Sequence, residues 1–220
     1  MSDPLRVGAA FPDPPFNGAE NHGGLDISLM EAVAEALSLR VELIPYRRPD
    51  FNGIFDELNA GAYDCVTALA VDVGRLPHVR SIDDLEGLTI GVQRGNTSQP
   101  IAEQLVAQGR AKAVHVYDYG DIRAAITDLT TGGCDAFIKL APVLTQLVKP
   151  VAGVEVVQRG LSTERIATAV RRSDDDLLAW INAAQAGLER TGRLGELRAK
   201  WLGASELDQS GAGQKTWEQP

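Results

Sequence analysis

The segment from Ser81 to Ser98, SIDDLEGLTIGVQRGNTS, sets a short helix, a strand and a second helix start back to back, and that order narrows the folds open to the chain. Asp83 and Asp84 favour a first helical turn and Gly87 ends it. Leu88, Ile90 and Val92 alternate as a strand with one buried face. Gly95 then turns the chain so that Asn96, Thr97 and Ser98 bring side-chain oxygens and unpaired amides to a helix N-terminus. A strand running through a glycine turn into a helix is the repeating step of α/β folds. The helix start is also a prepared seat for a carboxylate or another anion, because its amides lack partners and the helix dipole is positive there. Structural capping alone accounts for the same residues equally well, so both readings stand at this point.

The rest of the chain continues the alternation. Strands are expected at Leu5–Ala10, Val41–Tyr46, Asp64–Val73, Leu88–Gln93, Ala113–Asp118, Ala136–Leu140, Val154–Gln158 and Arg165–Val170. Helices are expected near Phe51–Asn59, Thr97–Ala107, Ile122–Leu129, Pro142–Val148, Asp175–Glu189 and Leu194–Trp201. An earlier helix carries Ile27, Met30, Val33 and Leu37 at helical spacing, which predicts a face turned to a core. DELNAGAYDCV and TDLTTGGCDAF share a helix, a glycine turn and an Asp-led strand, a weak internal echo of two similar units. The Gly-, Gln- and Ser-rich tail from Ala204 is expected to be a mobile appendage.

The charge of −9 over 220 residues, with no basic stripe, argues against nucleic acid and anionic membrane surfaces. Arg47 and Arg48 form an isolated pair suited to a solvated loop. No apolar run approaches the roughly 18 residues of a membrane span, and no basic, apolar leader precedes Leu5. Cys65 and Cys134 sit at matching points of the two echoing units and are expected apart, one in each, unbridged and buried. His22, His78 and His115 show no ligand spacing, so neither a metal nor a cofactor is expected.

Five stretches in order carry a resemblance. LRVGAAFPDPPF opens the chain with a strand and a Pro-Phe turn, and GLDISLMEAVAEALSLRVELIPY and FNGIFDELNAGAYDCV each read as helix then strand. The Ser81–Ser98 segment follows, and DDLLAWINAAQAGLERTGRLGELRAKWLG closes with a helix pair ending in tryptophan and glycine. Together they resemble bacterial extracytoplasmic solute-binding proteins of the amino-acid-type ABC importer family (family 3, type II periplasmic-binding-protein fold). The resemblance implies an α/β fold of two lobes with parallel-rich sheets flanked by helices. Lobe 1 would comprise residues 1–68 and 171–203, lobe 2 residues 69–170, and residues 204–220 the tail. The crossings would lie near Thr67–Asp72 and Ile166–Val170, with a solute in the cleft at the strands' C-terminal ends. It further implies a non-enzymatic protein, periplasmic or anchored at the cell surface, that hands a small polar solute to an ABC permease, its signal sequence absent here.

The chain departs from that pattern in two places. After YDCV, members continue with a segment that supplies an arginine for the ligand's α-carboxylate, whereas this chain runs directly into TALAVDVGRLPHVRS. Arg75 and Arg80 lie beyond the crossover and do not replace it. The acid that pairs with an α-ammonium falls at Leu140, and Lys139 beside it, on the alternate strand face, is read as no substitute. Ala10 and Asp13 occupy positions that often hold an acid and an aromatic, Phe51 fits the aromatic that stacks on the ligand, and Gln93, Asn96, Thr97 and Ser98 take the second-lobe contact positions. Each has an ordinary alternative: Phe51 as core, Asp13 as a solvated turn residue, Gln93 as an exposed strand end. Binding of ordinary amino acids is accordingly expected to be weak or absent.

Two other functions compete. A cyclohexadienyl-dehydratase-like lyase on the same fold would need a placed proton-transfer group and carboxylate clamps, and no such Glu, His or Arg set stands out. A sensory or binding-dead domain is the third reading. The shortened crossover also predicts one long strand from Asp64 to Val73, an exposed lobe-1 sheet edge, and through it a dimer or domain swap.

Overall fold

The computed structural model describes residues 4–18, 23–46, 64–165, 168–170 and 174–203, with side chains at 64–68 and 163–165 outside the description. The helix expected at Phe51–Asn59, the Arg47–Arg48 pair and the tail from Ala204 lie outside the described residues, as does the Cys65 side chain.

Two sheets form. β1 (Leu5–Ala10) and β2 (Val41–Tyr46) pair in parallel, in register from Leu5↔Val41 to Ala10↔Tyr46. Between them runs α1 (Leu25–Ala36), whose Leu25, Ile27, Leu29, Met30, Val33 and Ala34 are buried. Leu29, Met30, Val33 and Ala34 of that stripe pack with Leu5, Val170 and residues of two later helices, α5 (Asp175–Arg190) and α6 (Arg193–Leu202), to form the first lobe's core.

The second sheet has five strands in the order β5-β4-β6-β3-β7. Its strands are β3 (Asp64–Asp72), β4 (Thr89–Gln93), β5 (Ala113–Tyr117), β6 (Ala136–Leu140) and β7 (Val154–Arg165). β4 lies parallel to β5 and β6, while β3 runs antiparallel to β6 and β7, so the sheet is mixed. Both faces are covered, by α2 (Ser98–Ala107) on one side and by α3 (Ile122–Thr131) and α4 (Ala141–Val148) on the other. Burial on both faces explains why Leu69, Ala70 and Val71 of β3 form an unbroken apolar run instead of alternating. The close approach of layers at β4 requires a glycine: a Cβ on Gly91 would stand 2.7 Å from the Phe137 ring and 3.0 Å from the Cys134 sulfur.

The long strand expected from Asp64 is present, ending at Asp72. Its return partner differs from the sequence reading, which placed two strands at Val154–Gln158 and Arg165–Val170. A single strand, β7, follows β3 instead, with register shifts between Val66 and Ala68 and between Leu69 and Ala70. Those irregularities and Gly160, at φ 78°, look like a break in sequence but form bulges in a continuous pairing. Cys134 is buried and unbridged, and burial raises its thiol to about 11. A further apolar cluster joins the lobes, with Phe16, Leu25, Ala32 and Leu197 meeting Val143 of α4.

Candidate functional site

The site forms where the C-terminal ends of β1, β4 and β6 face each other across the two sheets. On the first-lobe side, β1 runs into a tight turn fixed by backbone bonds between Asp13 and Asn17 and by the Asp13 amide donating to Asn17 Oδ1 at 3.0 Å. The turn in turn satisfies the start of α1, because the amides of Leu25 and Asp26 donate to the carbonyls of Pro15 and Phe16, each at 2.9 Å. Asp13 is thereby held at the rim with its side chain aimed at the second lobe.

It meets Lys139. The Lys139 ammonium lies 2.8 Å from Asp13 Oδ1 and donates to Gln93 Oε1 at 2.6 Å, and it stands 5.6 Å from the centre of the Tyr119 ring. Only 2% of the lysine side chain is exposed, against 13% for Asp13. Gln93, at the end of β4, is a junction: its amide donates to the Tyr119 carbonyl at 2.6 Å, and its oxygen also accepts from Asn96 Nδ2 at 3.2 Å. The buried Tyr119 phenol is pushed well above its ordinary range by desolvation, then by the Asp13 charge and a hydrogen bond with Asp13, so it remains a neutral donor. Asp26 completes the group. Burial first, then the neighbouring Asp13 charge, raise its carboxyl to about 6, while a hydrogen bond with Asn17 pulls the other way. Asp26 keeps part of its residue surface in water although the carboxyl itself is enclosed by protein.

Lys139 enters the site from the strand face opposite Leu140. Strand alternation does place Lys139 and Leu140 on opposite faces, but the position expected to hold an acid, Leu140, packs into the apolar cluster of Phe16 and Val143. Lys139, near the end of β6, has a stem long enough to carry its charge past the sheet end into the space between the lobes. Asp13, expected as a site residue with a solvated turn as its ordinary alternative, is the ion-pair partner of Lys139 across the lobes. Nothing in the local sequence patterns of Tyr119, Asn17 and Asp26 marks them as site residues. Of the expected residues, Asp13, Gln93 and Asn96 are brought together, Thr97 and Ser98 adjoin them, and Phe51 lies outside the described residues.

The helix start after β4 stands as expected, with one change. Thr97, the residue before α2, makes no side-chain cap. The loop is held instead by Gln99 Oε1, which accepts from the Gly95 amide at 2.9 Å. The amides of Thr97 and Ser98 donate to no backbone group among the described residues, in contrast to the filled first turn of α1. The Ser98 hydroxyl is buried, with 2% of the residue exposed, and has no hydrogen-bond partner. The amides of Thr97 and Ser98 and the Ser98 hydroxyl follow Asn96 directly in the chain, at the positive end of α2, and a helix end of this kind is suited to accepting a carboxylate.

Known proteins share this fold. An ancestral arginine-binding protein bound to arginine superposes with a TM-score of 0.79 at 28% identity, covering 92% of this chain and all of that one. The probable histidine-binding protein of Neisseria gonorrhoeae is 24% identical, the match covering 90% of this chain and 82% of that protein. The L-cystine-binding protein of Escherichia coli K12 is 25% identical, with 91% and 83% covered. These two alignments extend over 226 and 228 residues, more than the 220 of this chain, so the relatives carry sequence with no counterpart here. The family model for bacterial extracellular solute-binding proteins, family 3, matches residues 5–204, and the chain belongs to that family.

Proposed function

We propose that this protein is the solute-binding component of an ABC importer, acting outside the cytoplasm and without catalysis. It holds an amino acid or a related small polar solute between its lobes and presents the closed form to a permease. The observation that carries this reading is the buried Ser98 hydroxyl without a partner, beside the free amides of Thr97 and Ser98. A buried hydroxyl left unbonded costs stability, which a structural cap would have removed and a bound carboxylate would recover. Binding proteins for arginine, histidine and cystine among the relatives support the solute class. The direct run from Val66 into Thr67 supports a site without the usual arginine, and with it a lower affinity.

A thermal-shift screen against amino acids, opines, dicarboxylates and polyamines tests the proposal. A ligand at about 100 times its Kd adds roughly 2.7 kcal/mol, which for a chain of this size shifts the melting point by about 5–10 °C. A shift for one solute class that vanishes at low ligand concentration is the expected result. Turnover of prephenate or arogenate to an aromatic product, without such a shift, would point to a lyase instead.

A further inference from the structure

Lys139 is the one lysine or arginine buried among the described residues, and the carboxylate paired with it there is that of Asp13. The two halves of this pair come from opposite lobes, Asp13 from the turn after β1 and Lys139 from β6. We propose, on the strength of the solute-binding reading above, that Lys139 and Asp13 form an inter-lobe ion pair that a zwitterionic solute divides, its carboxylate taking Lys139 and its ammonium taking Asp13.

Charge pairing selects this class of solute. Removing one partner of a buried ion pair is strongly unfavourable, because the charge left behind has lost its solvation and gained nothing. An anion that entered alone would pair with Lys139 and strand Asp13 beside Asp26. A cation that entered alone would pair with Asp13 and strand Lys139, the more deeply buried of the two. A solute carrying both charges leaves each protein charge with a partner. The geometry gives each end further support. Gln93 Oε1 accepts from both Lys139 and Asn96, which ties the ammonium to the loop leading into α2. On the other side, Tyr119 bonds Asp13, and the Asp26 charge lies close by, so negative charge gathers where the ammonium docks.

The pair also holds the lobes together before the solute arrives. An entering solute must break that contact, which makes the empty site self-neutralising and lowers affinity for anything unable to replace both halves. Lys139 supplies, from the second lobe, a carboxylate-binding cation for a chain whose crossover offers no arginine.

Calorimetry on the full chain tests the division. The probes are the twenty standard L-amino acids, succinate, glutarate and putrescine, followed by trimmed forms of each amino acid that binds. For arginine these are agmatine, which lacks the carboxylate, and 5-guanidinopentanoate, which lacks the ammonium. Each trimmed form should bind at least tenfold more weakly than its parent. In Lys139→Met the penalty for losing the carboxylate should disappear while the penalty for losing the ammonium persists, and Asp13→Asn should show the reverse. A lysine with a merely structural role would weaken all three compounds alike in Lys139→Met, and that result overturns the proposal. Where a single variant fails to fold, the double variant Lys139→Met/Asp13→Asn strands no charge and should bind parent and trimmed forms within about threefold of each other; a retained tenfold preference refutes the pair's role. Binding of succinate, glutarate or putrescine with no amino acid binding overturns the zwitterion but leaves solute binding standing. A panel in which nothing binds, the opines of the thermal screen included, overturns the solute-binding reading itself.

Discussion

Replacing Ser98 by alanine should make the solute-free protein more stable and its site worse. The hydroxyl is buried and unpartnered, and an unsatisfied buried polar group costs about 1–3 kcal/mol. Alanine removes that cost and sacrifices only the few contacts of the oxygen, so Ser98→Ala should gain about 1 kcal/mol. Ser98 opens α2, where alanine is also the better helix former. Binding moves the other way, because a hydrogen bond to a charged group is worth about 1.5–3 kcal/mol, equivalent to an affinity loss of roughly tenfold or more. Urea unfolding without ligand and calorimetry with the tightest solute measure the two effects on the same samples. A variant less stable than the parent would mean that the hydroxyl is bonded after all. An unchanged Kd would remove Ser98 from the site. Proline is a poorer probe here: Thr97 has helical angles (φ −59°, ψ −23°), which a following proline disfavours.

Asp26 predicts a pH dependence. Its carboxyl is raised from 3.8 to about 6, so the folded state holds a proton that the unfolded chain releases earlier. The associated stability is complete below about pH 4 and is lost as pH rises through 6. Asp26→Asn should flatten that window and stabilise the protein by about 1–2 kcal/mol at pH 7, a figure discounted from roughly 3 for partial contact with water; equal slopes in parent and variant would refute it. Gly91→Ala should cost about 1–3 kcal/mol by overpacking against Phe137 and Cys134, read from the urea midpoint, and an unchanged midpoint would show that these layers can part. The shortened crossover predicts some dimer with the monomer, read by light scattering across a concentration series; a strictly monomeric chain at high concentration would contradict it.

Much of the fold is legible in the sequence because it rests on local pattern. The step from β4 through Gly95 into α2, the Asp-led start of β6 and the apolar stripe of α1 are each written in consecutive residues. β7 is harder to read, since Gly160 resembles a terminator until pairing with β3 turns it into an irregularity within one strand. The site divides along the same line. Gln93, Asn96, Thr97 and Ser98 are neighbours in sequence and emerge as a group. The Asp13–Lys139 pair does not, because alternation fixes a side chain's face but not where a long stem ends beyond the sheet. Tyr119 and Asp26 enter only through contacts with Asp13, far away in the chain, and no spacing announces them.

A crystal structure of the full chain with the tightest-binding solute from the thermal screen tests the central claim most directly. The account predicts that solute between the lobes, with a carboxylate oxygen within hydrogen-bonding distance of the Thr97 and Ser98 amides and the Ser98 hydroxyl. A solute bound elsewhere, with the α2 N-terminus untouched and the Ser98 hydroxyl still unpartnered, would contradict it.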